Sequence, residues 1–147
     1  MAKAAPSAGY SGTPLLKKLG FTSDQSAALI DTPKPLRPHL VAAKFKTLAE
    51  AAIDGAGSLK GPLDAVHLFA TERAKLKRAL PQLMKRLAPA GMIWVSWPKK
   101  AAKMETDITE DVIRAEALPL GLVDVKVCAV DETWSGLKLV IRKELRK

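Results

Sequence analysis

The chain has 147 residues, 48% of them hydrophobic, with a single cysteine and a formal net charge of +9. Such a chain makes one domain able to bury roughly 70% of the surface its unfolded form exposes, and lone Cys128 excludes an internal disulfide framework. No apolar run approaches the roughly 20 residues of a membrane span, and the opening MAKAAPSAG lacks the apolar centre of a signal peptide, so the expectation is a cytoplasmic protein without a membrane partner.

Residues 1–8 are small and polar and read as a disordered tail, leaving 9–147 as a single α/β domain. Gly9 to Gly20 predicts a short helix, with Thr13 as N-cap, Pro14 at its first position and Gly20 as its stop. The Gly9-Tyr10-Ser11-Gly12 turn before it reads either as a loop or as an anion-binding turn of backbone amides. Ser26–Ile30 is the first strand, followed by Asp31-Thr32-Pro33-Lys34-Pro35, a turn without glycine and with two prolines that donate no amide. Val41, Phe45, Leu48 and Ala52 recur at helical spacing, predicting a helix over 38–53. The glycine-rich loop 54–61 would then leave a helix, which gives its dipole the wrong sign for phosphate.

Leu63–Ala70 predicts the second strand, in which His67 is either a hydrogen-bonded structural residue or a general base. Thr71 caps a helix whose inward stripe is Leu76, Leu80, Leu83 and Leu87, with Pro81 as a kink or restart. From Arg73 to Arg86 this helix carries Arg73, Lys75, Lys77, Arg78, Lys85 and Arg86 and no acid. That face is either simply solvated or a surface for nucleic acid or an acidic partner.

Met92-Ile93-Trp94-Val95 is a continuous apolar run, as expected of a strand covered on both faces. Gly91 opens it, and Pro98 ends it by removing an amide and biasing Trp97 out of helical torsions. Lys99 and Lys100 then emerge at the carboxyl end of a central strand, the edge where open α/β sheets bind ligands. Thr109 caps the next helix, with Glu110 and Asp111 complementing its positive end. Val123, Val125, Val127 and Ala129 alternate with polar residues in one strand, Leu137, Leu139 and Ile141 alternate in another, and the loop 131–136 makes the two antiparallel neighbours.

Right-handed crossovers turn this order into a three-layer, Rossmann-like sandwich of about five strands, mostly parallel, closed by an antiparallel C-terminal strand. The predicted spatial order is first, second, third, fifth, fourth. Over roughly 63–143 this topology resembles the latter half of the S-adenosylmethionine-dependent methyltransferase core. The segments GYSGTPLLKKLG, VHLFATER, WVSWPKK, TDITEDVIR and VDVKVCAVDETWSGLKLV are also similar to an uncharacterised bacterial family of small domains of unknown function. The methyltransferase resemblance implies a cofactor site near Asp31 and Thr32, but 31–35 replaces that family's glycine-rich loop, and its acid-ended second strand finds no counterpart.

The predicted edge gathers Asp31, Thr32, Thr71 to Arg73, Trp97, Lys99, Lys100, Asp131, Glu132 and Trp134. Lysines there neutralise phosphate and tryptophans stack on a base. The structural alternative has the tryptophans covering the edge and Lys99 pairing with Asp131. Paired-cysteine and histidine-glutamate metal spacings are absent, and His39, His67 and Cys128 are too isolated to argue a site. The leading expectation is therefore a non-catalytic binding module for an anionic small molecule, nucleotide or acidic partner at Trp97, Lys99, Lys100, Asp131 and Trp134, with no metal and no assigned cofactor. Two alternatives stand beside it. One is a small transferase whose atypical adenine-cofactor site includes Asp31 and Thr32; the other is nucleic-acid binding through Arg73, Lys75, Arg78, Lys85 and Arg86.

Overall fold

The computed structural model describes residues 14–146. The tail, the turn at 9–12 and the proposed Thr13 cap lie outside the described residues. Six strands form one sheet: β1 (Ser26–Ile30), β2 (Thr47–Ala51), β3 (Leu63–Phe69), β4 (Leu87–Pro98), β5 (Leu122–Ala129) and β6 (Trp134–Ile141). Their order is β2-β1-β3-β4-β6-β5, with β1 to β4 parallel and β6 antiparallel to both its neighbours. The five strands read from the sequence take the expected order. The sixth, β2, is the addition.

β2 overturns the helix expected over 38–53. Only α2 (Arg37–Val41) is helical there, and Lys44 at φ 54° sits in the left-handed region that a continuing helix does not use. The helix-favouring TLAEA segment becomes a strand because its backbone pairs with β1 in register from Ser26↔Thr47 to Ile30↔Ala51. As an edge strand it stays largely uncovered, so Leu48 is exposed and no alternation marks it. Consequently the loop at 54–61 follows a strand, with Ile53–Ser58 wound as a 3-10 helix.

The other helices are α1 (Leu15–Leu19), α3 (Arg73–Arg86) and α4 (Glu110–Ala117). α3 runs unbroken through Pro81, so no restart occurs. It stops at Arg86, and Leu87 already pairs with Leu63, which extends β4 backward beyond the expected Gly91 start. Residues 88–91 are accommodated as an irregularity, since the register next resumes at Ala65↔Met92. Thr109 caps α4 as expected, its hydroxyl accepting from the Val112 amide at 3.2 Å.

Two apolar layers flank the sheet. Ile30, Val66, Leu68, Ile93, Val95, Leu137 and Leu139 face α3 and α4, meeting Leu76, Leu80, Leu83 and Ile113. Ala27, Leu29, Ala65, Phe69 and Trp94 face the short helices α1 and α2 through Leu19, Phe21, Leu36 and Leu40. β5 departs from its expected alternation. A bulge between Asp124 and Lys126 leaves Val125 out of register, and both Val125 and Val127 are exposed.

Candidate functional site

The strand order places a switch point between β1 and β3. From β1 the chain passes through α2 on one face to β2, whereas from β3 it passes through α3 on the other face to β4. The two connections diverge, opening a crevice outside the carboxyl ends of these strands. A cavity of about 190 Å³ lies there, lined by Asp31, Ile53, Phe69, Ala70, Thr71, Glu72, Lys75 and Trp134. Thr71 and Glu72 also line an adjoining cleft of about 580 Å³, completed by Ala74, Glu105, Thr106 and Asp107.

Asp31 stands at the end of β1 with φ 53°, a left-handed backbone that aspartate tolerates better than bulky residues. Its amide donates to the Ala51 carbonyl at 3.0 Å, fixing the turn to β2, and its side chain is left at the cavity. The neighbouring Thr32 hydroxyl is buried and makes no hydrogen bond. Such an orphan is costly and invites a ligand or water partner. Phe69 and Trp134 form an apolar wall, packed edge to face with centroids 5.2 Å apart. Trp134 is held by Asp131, whose carboxylate accepts from the amides of Thr133 and Trp134 at 2.8 Å each. Asp131 thus shapes the hairpin start and acts on the cavity through Trp134. Lys75 is the one cation among the described residues of the lining, 3.6 Å from Glu72 and 3.8 Å from Asp54.

Beneath Phe69 lies His67, fully buried and stacked on that ring at 4.2 Å. Its Nε2 lies 2.7 Å from the Ser96 hydroxyl, and its Nδ1 has no partner. Burial pushes its pKa down to about 3, so the ring is neutral and structural at ordinary pH.

The expected ligand edge is split. Trp97 packs among the side chains facing α3 and α4, whereas Trp134 packs on the opposite face with Phe69 and Trp94, so the two tryptophans do not converge. Lys99 is half-buried, its amide donating to the Thr133 carbonyl, and Lys100 is exposed in a 3-10 turn; neither lines the cavity. Lys75, assigned from sequence to a basic helix face, belongs to it instead. The signal for this was available, because Lys75 lies in the first turn after β3 and that turn must face the carboxyl edge.

The remaining cations of α3 are mostly engaged. Arg73 pairs with Glu116 at 2.6 Å and Arg78 with Asp54 at 3.8 Å, while Lys85 is exposed. Arg86 donates to the Leu59 carbonyl at 2.7 Å, the Gln82 carbonyl at 2.8 Å and the Gly57 carbonyl, binding α3 to the 54–61 loop. Arg86→Ala leaves those carbonyls to water and should cost about 1–3 kcal/mol, read as a lower urea midpoint at unchanged slope.

Among solved structures, the chain is similar to a ribosomal protein L11 methylase from Lactobacillus delbrueckii subsp. bulgaricus. That match has a TM-score of 0.64 at 12% identity, covering 87% of this chain and 75% of that one. A SAM-dependent methyltransferase from Aquifex aeolicus gives 0.61 at 14%, covering 86% and 88%. The magnesium protoporphyrin IX methyltransferase of Synechocystis PCC 6803, solved with bound SAH, gives 0.57 at 11%, covering 86% and 78%. The fold is the Rossmann-like methyltransferase fold. No protein-family model and no curated protein matches the chain, so the similarity to the uncharacterised bacterial family gains no support from either comparison.

The methyltransferase fold here carries six strands, and β2 supplies the second strand that the sequence did not reveal. Its acid, Glu50, is one residue short of the strand's end and is bound bidentately to Arg37, at 2.8 and 2.7 Å. Glu50 therefore does not line the cavity. Among the described residues, no group of three His, Cys, Asp or Glu side chains is placed to hold a metal ion, and no helix is long and apolar enough to cross a membrane.

Proposed function

We propose that this chain is a small transferase-type domain that binds S-adenosylmethionine, or a close relative of it, in the cavity between the carboxyl ends of β1 and β3. The carrying observation is the coincidence of two features in the cavity at the fold's switch point: a carboxylate at the end of β1 and an aromatic wall of Phe69 and Trp134.

The chemistry of the lining fits such a group. S-adenosylmethionine bears a cationic sulfonium beside a flat adenine, and because its ammonium and carboxylate offset each other it is a net cation. The cavity offers Asp31 and Glu72 against a single ammonium, Lys75, which Glu72 and Asp54 already share. An anionic ligand would meet the opposite balance, so the phosphate-like ligand expected from the net charge is disfavoured at this position. The main cavity alone is smaller than the roughly 300–1,000 Å³ of ordinary small-molecule sites. The adjoining cleft through Thr71 and Glu72 supplies the remaining room.

In this reading Asp31 accepts hydrogen bonds from the ribose hydroxyls or the amino group. Phe69 and Trp134 keep water from the apolar side. When bound, the cofactor supplies an electrophilic methyl group. Pro33 and Pro35 remove the amides that a glycine-rich loop would contribute, so side chains bear more of the binding.

Calorimetric titration tests the proposal. Saturable binding of S-adenosylmethionine to the wild type is expected, weakened at least tenfold by Asp31→Ala, in line with loss of a charged hydrogen-bond partner of about 1.5–3 kcal/mol. Equal affinity in the two proteins would remove Asp31 from the site.

A further inference from the structure

A second surface, outside the cavity lining, carries lysines that have no acidic partner among the described residues. On the α1 face of the sheet, Lys126 of β5 stands directly opposite Lys138 of β6. Like charges at facing positions of an antiparallel pair repel and are normally avoided. Lys18 joins them from the last turn of α1, its ammonium donating to the Ala129 carbonyl at 2.8 Å, while Lys126 in turn donates to the Lys18 carbonyl at 3.2 Å. Lys17 precedes Lys18 in the same turn and is exposed. These contacts go to carbonyls, which hold the side chains in place without cancelling their charge. None of the four ammonium groups is in an ion pair among the described residues, whereas Arg73, Lys75 and Arg78 of α3 all are.

We propose that Lys17, Lys18, Lys126 and Lys138 form a docking face for the phosphate backbone of a nucleic-acid duplex. Charge complementarity names a polyanion, and the sheet fixes the spacing of Lys126 and Lys138 rigidly. Among the described residues, the lack of a stacking platform selects the duplex over a single strand: on this face Trp94 is fully buried, Trp134 nearly so, and the half-buried Phe45 is engaged edge to face with Phe21 at 5.6 Å. Recognition by phosphate contacts alone is sequence-independent and releases counterions in proportion to the phosphates neutralised. This moves nucleic-acid binding from α3, whose arginines are engaged within the fold, to the α1–β5–β6 face.

The test is fluorescence anisotropy of the full chain with a labelled 20-base-pair duplex across a salt series. Wild type is expected to bind, with affinity falling steeply as salt rises. Lys126→Gln with Lys138→Gln should weaken binding about tenfold or more and reduce the salt slope by about 2. Lys77→Gln with Lys85→Gln removes the same charge from the exposed side of α3 and should change binding less than threefold. Because a repulsive pair is relieved, the first double variant should melt no lower than wild type. Should it melt lower, Lys17→Glu, which alters no strand, should still weaken binding severalfold. Absence of duplex binding, equal losses in the two double variants, tighter binding of a single strand, or preference for phosphatidylserine vesicles would each overturn the proposal.

Discussion

Lowering the pH from 7 to 5 should remove about 2 kcal/mol of folding stability through His67 alone, and about 4 kcal/mol should be gone by pH 3. The sign follows from burial. His67 is held neutral in the fold, with its pKa pushed from 6.5 down to about 3 because no solvent reaches the ring. Below pH 6.5 the unfolded chain therefore binds a proton that the folded chain refuses, and acid pulls the equilibrium toward unfolding. The loss begins near the unfolded value and continues until the folded value is reached. Against a total of about 5–15 kcal/mol this is a large fraction. Urea unfolding of wild type and His67→Gln at pH 7 and pH 5 checks it: the wild type should lose about 2 kcal/mol more than the variant. Parallel losses would mean that His67 is solvated.

Trp94→Ala should cost about 3–5 kcal/mol, the range for deleting a large buried aromatic. Trp94 is fully buried in β4, between His67 of β3 and Lys138 of β6, and its indole donates to the Leu19 carbonyl at 2.8 Å. That bond ties the last residue of α1 to the centre of the sheet. Gly136 shows how closely the ring is fitted, since a methyl group there would stand 3.1 Å from its Cε3. The substitution thus opens a cavity and also strips a partner from a helix-end carbonyl. Trp94→Phe separates these effects: it retains most of the packing and should cost about 1–3 kcal/mol for the orphaned carbonyl and lost volume. Urea midpoints for the two variants should rank wild type, Trp94→Phe, Trp94→Ala, and a Trp94→Ala loss below 1 kcal/mol would contradict the packing described.

The sequence made the central sheet legible because its strands are buried on both faces. Ile93-Trp94-Val95, and Val66 and Leu68 around the buried His67, leave no solvent-facing side, and the short 131–136 loop forces an antiparallel final pair. Hence the order of five strands could be derived. β2 could not, because an edge strand paired on one side needs no apolar pattern, and TLAEA carries a helix former's composition. The irregular start of β4 was hidden for a related reason: Ala88-Pro89-Ala90 reads as a break, but backbone pairing of Leu87 resumes the sheet before it.

Asp31, Thr71 and Trp134 line the cavity at the carboxyl edge because strand ends alone decide their position, whereas Thr32, next to Asp31 in the chain, is not part of the lining. The expectation that Trp97 and Trp134 serve one ligand site fails on parity. Trp97 lies opposite Ser135 and Trp134 opposite Pro98, so the two rings occupy successive positions and point to opposite faces. The electrostatics were equally invisible in the total charge. A chain of net charge +9 nevertheless lines its switch-point cavity with two carboxylates and a shared lysine, because Glu72 and Asp31 are fixed there by strand ends while most lysines fall elsewhere.

The most direct measurement is a two-dimensional amide NMR titration of the wild type with S-adenosylhomocysteine, the methyl-depleted form of the proposed cofactor. Saturable shifts concentrated at Asp31, Thr32, Ile53, Ala70, Thr71 and the Trp134 indole are expected, with the Lys126 and Lys138 amides unmoved. Absence of any saturable shift, or shifts confined to surfaces away from the ends of β1 and β3, would contradict the assignment of this cavity as the cofactor site.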